Sequence, residues 1–291
     1  MKENHVRKPD WLKVEAFSGD NYNNVVGILN SCHVNTVCNE ALCPNRGKCY
    51  NENTATFILM GKICSRHCRF CNVTSGKPTP LDEAEITGIA NAVKELGLKY
   101  VVITSVTRDD LPDGGSAHFA KTCEEIKKLN PDTHIEALIS DFNGDMDAVR
   151  RVLASPCTVV GHNVETVPAL YSSIRPEADY KQSLDVVAQV KIYDPQMISK
   201  SGMMLGLGET REQVLQVMRD LRGVNCDILT IGQYLRPSKA HYPVKEYIRP
   251  EVFAEYAELG MEMGFLHVES SPLTRSSFMA HKSYAKAMGN K

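Results

Sequence analysis

The sequence predicts an α/β protein whose parallel strands, each followed by a helix, curl into a partial or nearly closed barrel. From residue 56 onward, short β-branched runs alternate with helical stretches. Few hairpin signals separate those runs, so successive strands are joined by crossovers and lie parallel. Six or seven such units in one 291-residue chain favour a TIM-like (β/α) barrel over two smaller domains. A doubly wound open sheet is the alternative.

Residues 1–55 are rich in Asn and Cys and weakly periodic, and they read as an extension packed against the barrel. The barrel proper is expected over 56–270, opening with the strand "TFILM" (56–60). "DEAEITGIANAVKELG" then places Ile86, Ala90, Val93 and Leu96 on one helical face. The next strands are "KYVVITSV" (99–106), "HIEALI" (134–139), "TVVGHNV" (158–164) and "SGMMLGL" (201–207). In "TREQVLQVMRDLRG", Val214, Met218 and Leu221 form an apolar face, and Thr210 with Gln213 makes a capping box. "DILTIGQY" (227–234) and "FLHVES" (265–270) complete the strands. The C-terminal segment, 271–291, contains "SSFMAHKSYAKAM", which reads as a helix with serine available to cap it.

A formal net charge of −2 gives no basic footprint for nucleic acid. No run of 18 apolar residues suggests a membrane span, and "MKENHVRKPDWLK" lacks the apolar stretch of a signal peptide. A cytoplasmic protein is expected. Of the ten cysteines, seven lie between Cys32 and Cys71. An odd cluster without an export signal points to metal or redox chemistry rather than a disulfide framework. Cys32, Cys123, Cys157 and Cys226 read as small packing residues.

"CSRHCRFC" sets Cys64, Cys68 and Cys71 at C-x3-C-x2-C. It follows the first strand through only "GKI", so it is a loop at the carboxyl end of the strands, where such folds bind ligands. A structural zinc site wants four ligands, and a catalytic zinc with three remains possible. An iron–sulfur cube fits better: three thiolates hold three irons and leave the fourth open. Arg66 and Arg69 stand close enough in sequence to offset cluster charge.

The motif, with Phe70 before its third cysteine, resembles the signature of the radical S-adenosylmethionine superfamily. The resemblance implies that the open iron chelates S-adenosylmethionine, and that an electron from the cluster splits the sulfonium to give a 5′-deoxyadenosyl radical. "GMMLGLGE" agrees, with Gly202, Met204, Gly206 and Glu209 at the spacing of the superfamily's adenine-side motif. Glycine lets a strand backbone approach a flat ring.

A second triplet, "CNEALCPNRGKC", sets Cys38, Cys43 and Cys49 at C-x4-C-x5-C. A zinc knuckle completed by Cys32 or His33 is one reading, although no standard zinc spacing fits. Together the triplets resemble the lipoyl synthase family. "VVITSVTRDDLPDGG", "HNVETVPALYSSIRPEADY", "KSGMMLGLGET", "DILTIGQYLRPS" and "PLTRSSF" follow that family's pattern in order, over roughly residues 9 to 278. The departures are "MAHKS" after "RSSF", Val164, Thr107 and Cys32.

The resemblance implies two 4Fe–4S clusters and S-adenosylmethionine. The first cluster would sit on Cys64, Cys68 and Cys71. An auxiliary cluster on Cys38, Cys43 and Cys49 would take its fourth ligand from a serine of "RSSF": Ser277, with Ser276 as the alternative. It implies a sulfurtransferase that inserts two sulfur atoms, from the auxiliary cluster, at carbons 6 and 8 of an octanoyl chain on a lipoyl carrier domain. Thr104, Ser105, Asn163, Glu165 and Arg175 at strand ends are the candidate S-adenosylmethionine contacts, with Phe70 and Gly206 beside them. A reduced ferredoxin or flavodoxin would donate electrons, and an iron–sulfur assembly or repair protein would restore the auxiliary cluster. The "DDLPDGG" carboxylates Asp109, Asp110 and Asp113 read as a solvated turn. A methylthiotransferase-like radical enzyme would lack the second triplet with "RSSF", and a non-enzymatic zinc protein would need four ligands per metal.

Overall fold

A computed structural model describes residues 7–14 and 19–291; residues 1–6 and 15–18 of the expected extension lie outside the described residues. The seven expected strands all form. They are β1 (Thr56–Leu59), β2 (Tyr100–Ser105), β3 (His134–Leu138), β4 (Val159–Gly161), β5 (Ile198–Leu205), β6 (Ile228–Gln233) and β7 (His267–Ser270). They pair in parallel in sequential order. The seven-stranded sheet runs from β1 to β7 without a pairing that joins its ends, so the barrel is partial. Most strand residues are buried, as in parallel sheets covered on both faces.

In the extension lie α1 (Asp20–Ser31), α2 (Val37–Glu40) and α3 (Arg46–Asn51). Around the sheet run α4 (Ala84–Glu95), α5 (Ser116–Leu129), α6 (Met146–Leu153), α7 (Tyr171–Ile174), α8 (Tyr180–Tyr193), α9 (Arg211–Gly223) and α10 (Pro250–Glu262). The last helix is α11 (Ala280–Gly289).

The expected faces hold with one adjustment. In α4 the buried stripe is Ile86, Ile89, Ala90 and Val93, and Leu96 lies beyond the helix, half-buried. α9 carries the full capping box: Thr210 accepts from the Gln213 amide while Gln213 reaches back to the Thr210 amide. The twelve-residue α1 was not expected; only Val25 and Leu29 of it are buried, too sparse a pattern to read. Thr36 bridges Phe57 and Asn35 accepts from the Ile58 amide, so the extension lines the free edge of β1. α11 packs Ala287 and Tyr284 against Val159, Ile198 and Ile228, each the first residue of its strand, and so covers the amino end of the barrel.

Also at that end, Lys200 pairs with Glu136 at 2.6 Å, both almost fully buried, and Tyr100 donates its hydroxyl to the same carboxylate. Removing one partner of a buried pair strands the other charge, at a typical cost of about 3–5 kcal/mol. Lys200→Met is therefore expected to lower stability by about that much, and Lys200→Met with Glu136→Leu to recover most of it. Thermal or denaturant unfolding of both variants checks this.

Candidate active site

A cavity of about 580 Å3 opens at the carboxyl ends of the strands. All the candidate cluster ligands line it, as do the candidate S-adenosylmethionine contacts other than Gly206.

The first triplet sits on a loop fixed at both ends. Met60 and Gly61, with φ of 67° and 89°, reverse the chain after β1. Glu85 holds this turn by accepting from the Met60 amide at 2.7 Å and the Gly61 amide at 3.3 Å, and His118 backs the carboxylate at 3.1 Å. Ile63–Cys64 then pairs with Thr74–Ser75. The Ser65 amide donates to Thr107, the Arg69 amide to Ile174, and the His241 ring meets the Cys71 carbonyl at 3.0 Å.

Arg66 does not serve the expected purpose. It is buried and bonded through its guanidinium to Asp109 and Asp141, at 2.7–3.0 Å. Two carboxylates already offset its charge, so it locks the loop and leaves no net positive charge for a cluster. Arg69 lies over the Tyr242 ring and donates to the Ser173 carbonyl. The "DDLPDGG" carboxylates are likewise engaged rather than merely solvated: Asp109 with Arg66, Asp110 with Arg108, and Asp113 with the amides opening α5.

The second triplet is carried by α2, whose start Thr36 caps, by the following loop, and by α3. The two triplet loops touch directly, for Asn72 donates to the Glu40 carbonyl at 2.7 Å. Burial pushes the thiols up, to about 12 at Cys38 and Cys71 and about 11 at Cys49 and Cys68. Metal binding must displace those protons. Among the described residues no three Cys, His, Asp or Glu side chains converge as ligands of one ion would.

The C-terminal segment folds back over the extension. Asn45 donates to the Leu273 carbonyl at 2.7 Å, and Lys48 lies over the Phe278 ring. A turn closes from the Phe278 amide to the Arg275 carbonyl, with Ser276 and Ser277 at its centre. The two serines part company. Ser276 Oγ donates to Asn163 Oδ1 at 2.7 Å, whereas Ser277 shares a narrow recess with Cys38 and Cys49. The helix-cap reading of Ser277 fails, because α11 starts at Ala280 behind Met279 with no side-chain cap.

The strand-end candidates divide too. Thr104 gives its hydroxyl to the Leu138 carbonyl, but Ser105 Oγ is buried with no partner. Arg175 directs Nη1 to the carbonyls of Asn163 and Val164 and to the Tyr171 hydroxyl, while its buried Nε has no partner. Those bonds hold the turn that puts Glu165 at φ 65°, an uncommon conformation for a non-glycine residue. Burial raises the Glu165 pKa against the opposing charge of Arg175 and the hydrogen bond from Asn163. Phe70 packs among Ile174, Leu207 and Tyr234. Gly206 stands behind this wall. Its φ is 93°, a Cβ there would fall 2.2 Å from Gln233 Nε2, and its amide donates to Glu209. The glycine and Glu209 serve the turn itself.

Sequence reading did not find Glu85, His118 or Asp141 as supports of the first loop. Each acts across a long sequence gap, and no local pattern marks it.

His162 is buried between Ile139 and Ser183, and burial, aided by the Arg175 charge, pushes its pKa down to about 4. The unfolded chain takes up this proton near the usual value of about 6.5. Stability is therefore full above that pH and declines as pH falls toward 4, by about 3 kcal/mol in total from this group. Asp141 continues the loss further down: burial would raise it, but Arg66 outweighs burial and holds it at about 2. Unfolding of cluster-free protein across pH 7 to 4 should show this decline, and His162→Gln should flatten it.

The model of the radical SAM superfamily matches residues 58–221. A lipoyl synthase of Caldanaerobacter subterraneus is 54% identical over 98% of this chain and 99% of its own length. One from Alkaliphilus metalliredigens is 52% identical over 97% and 98%, and one from a Roseiflexus species 48% over 97% and 93%. Among solved structures, methylornithine synthase superposes with a TM-score of 0.56 at 13% identity, over 85% of this chain and 74% of that one. Streptococcus suis SuiB bound to S-adenosylmethionine gives 0.56 at 12%, over 75% and 52%. These two likenesses concern the fold alone.

Proposed function

The chain belongs to the lipoyl synthase family of the radical S-adenosylmethionine superfamily, and from that membership we propose how its cavity divides the work. The enzyme is a sulfurtransferase that makes the lipoyl group by inserting sulfur at carbons 6 and 8 of an octanoyl chain on a lipoyl carrier domain. The 4Fe–4S cluster and S-adenosylmethionine of the superfamily supply the radical chemistry that an unactivated C–H bond requires.

Cys64, Cys68 and Cys71 hold that cluster from the fixed loop. Ser105 Oγ and Arg175 Nε, buried without partners, fit the polar groups of the methionine moiety. Asn163 and Glu165 face the same space. Thr104, already bonded to Leu138, contributes shape more than a hydrogen bond.

Cys38, Cys43 and Cys49 hold a second 4Fe–4S cluster, the sulfur donor, in the same cavity. Ser277 is its fourth ligand. The observation that carries this reading is the shared recess of Ser277 with Cys38 and Cys49, while Ser276 is turned toward Asn163. A hydroxyl is a harder and poorer partner for iron than a thiolate, which suits a cluster that must be taken apart. Val37, Ala41, Leu42 and Met203 give the cavity apolar wall for an alkyl chain. Enclosure between the barrel, the extension and the C-terminal turn limits water at the reacting carbons.

Reduced ferredoxin or flavodoxin as electron donor, and an assembly or repair protein that rebuilds the second cluster, complete the proposal. No helix among the described residues is long and apolar enough to cross a membrane. The test is anaerobic incubation of the reconstituted protein with S-adenosylmethionine, reductant and an octanoyl-lysine peptide. Mass spectrometry should show addition of two sulfurs. Zinc without acid-labile sulfide in the purified protein would end the reading.

A further inference from the structure

We propose that Ser276 is a positioning residue that ties S-adenosylmethionine binding to the seating of the C-terminal turn beside the second thiol triplet. The inference rests on the reading of the cavity above. Its basis is a set of hydrogen bonds linked through short stretches of backbone. Ser276 Oγ donates to Asn163 Oδ1 at 2.7 Å, and Asn163 Nδ2 donates to Glu165 Oε1 at 3.0 Å. Arg175 Nη1 donates to the Asn163 and Val164 carbonyls at 3.1 Å, which places the guanidinium whose Nε is left without a partner. The turn end of the path is Ser277, the next residue of the same Arg275–Phe278 turn, in the recess of Cys38 and Cys49.

The packing leaves little freedom for Ser276 to move alone. Ser276 Oγ also lies 3.4 Å from Thr230 Oγ1. A Cβ on Gly202 would fall 2.5 Å from Thr230 Oγ1, 2.8 Å from Ser276 Oγ and 2.9 Å from Asn163 Oδ1. The three side chains therefore meet in the space that the absent Gly202 side chain leaves open. A displacement of the turn at Ser277 must move Ser276, and an amide that loses its partner at Oδ1 loses the constraint that aims Nδ2 at Glu165. On the reading above, a cluster on the second triplet would give up its sulfide as it reacts, and Ser277, as its ligand, would then change its attachment. The path gives that change a route to the S-adenosylmethionine subsite. By linkage, S-adenosylmethionine must in turn hold the turn in place.

The experiment uses full-length protein loaded with iron and sulfide. Two quantities are measured: the dissociation constant of S-adenosylmethionine by equilibrium dialysis without reductant, and amide hydrogen exchange across residues 273–280 with and without it. In the wild type, S-adenosylmethionine should slow exchange of the turn. Ser276→Ala should weaken binding about tenfold, the loss expected when a buried acceptor goes without its donor. It should also abolish the protection of the turn, with iron and sulfide content unchanged. Asn163→Ala should weaken binding as well, and adding Ser276→Ala to it should do no further harm, because the two residues act in series. Wild-type affinity and wild-type protection in Ser276→Ala, or additive losses in the double variant, would overturn the proposal. Should Ser276→Ala load iron poorly, the decision passes to the wild-type exchange measurement, where a turn indifferent to S-adenosylmethionine overturns it. Failure of the wild type to bind S-adenosylmethionine would instead overturn the reading of the cavity.

Discussion

Replacing Cys64, Cys68 and Cys71 together by alanine is expected to reduce 5′-deoxyadenosine formation to background while iron and sulfide remain on the other triplet. The three thiols are the only cysteines on the loop between β1 and α4. Apart from the Thr107 amide, which donates to Cys64 Sγ at 3.3 Å, the loop is held by contacts that do not involve sulfur: the Glu85 carboxylate on the Met60–Gly61 turn, the Arg66 clamp on Asp109 and Asp141, and the amide of Arg69 on Ile174. The variant should therefore keep its fold, and loss of cleavage would report loss of the cluster alone. Anaerobic incubation with S-adenosylmethionine and dithionite, followed by chromatography of nucleoside products, makes the measurement. Undiminished 5′-deoxyadenosine would show that the cluster resides elsewhere.

That loop also shows where sequence reading reaches its limit. The spacing of its cysteines and its place after the first strand were legible, because both are local. The environment of its charges was not. Arg66 meets Asp109 and Asp141 across gaps of 43 and 75 residues. Only the barrel, by bringing the ends of β1, β2 and β3 side by side, makes those pairs. From sequence the guanidinium looked available to a cluster; in the fold it is neutralised and structural.

The same division runs through the chain. The strands were legible because burial on both faces demands short β-branched runs, and the start of α9 because Thr210 and Gln213 cap it reciprocally. α1 was not, since it buries only Val25 and Leu29 among asparagines. The sequence predicted a partial or nearly closed barrel, and the structure shows the partial one, with β1 and β7 unpaired. At the strand ends, residue type marked Thr104 and Ser105 alike, and only the fold separates a hydroxyl bonded to Leu138 from one left without a partner.

Ser277→Ala is expected to leave S-adenosylmethionine cleavage in place and to stop formation of the lipoyl product. The residue lies more than two hundred positions from Cys38, Cys43 and Cys49, yet its turn is held against them by Asn45 on Leu273 and Lys48 over Phe278. Since α11 is capped by no serine side chain, the substitution removes no cap, and the loss of about 1 kcal/mol that a missing cap brings should not appear in thermal unfolding. Stability and chemistry thus separate cleanly. Replacing Cys38, Cys43 and Cys49 together should give the same split by the more drastic route, with cleavage retained and no sulfur inserted. Ser276→Ala differs from both, for its hydroxyl is engaged with Asn163; it should loosen S-adenosylmethionine while still permitting sulfur insertion at saturating cosubstrate. Mass spectrometry of the octanoyl peptide after single-turnover incubation separates Ser276→Ala, which inserts sulfur, from the other two, which do not. A Ser277→Ala enzyme that inserts both sulfurs at the wild-type rate would remove Ser277 from the ligand set.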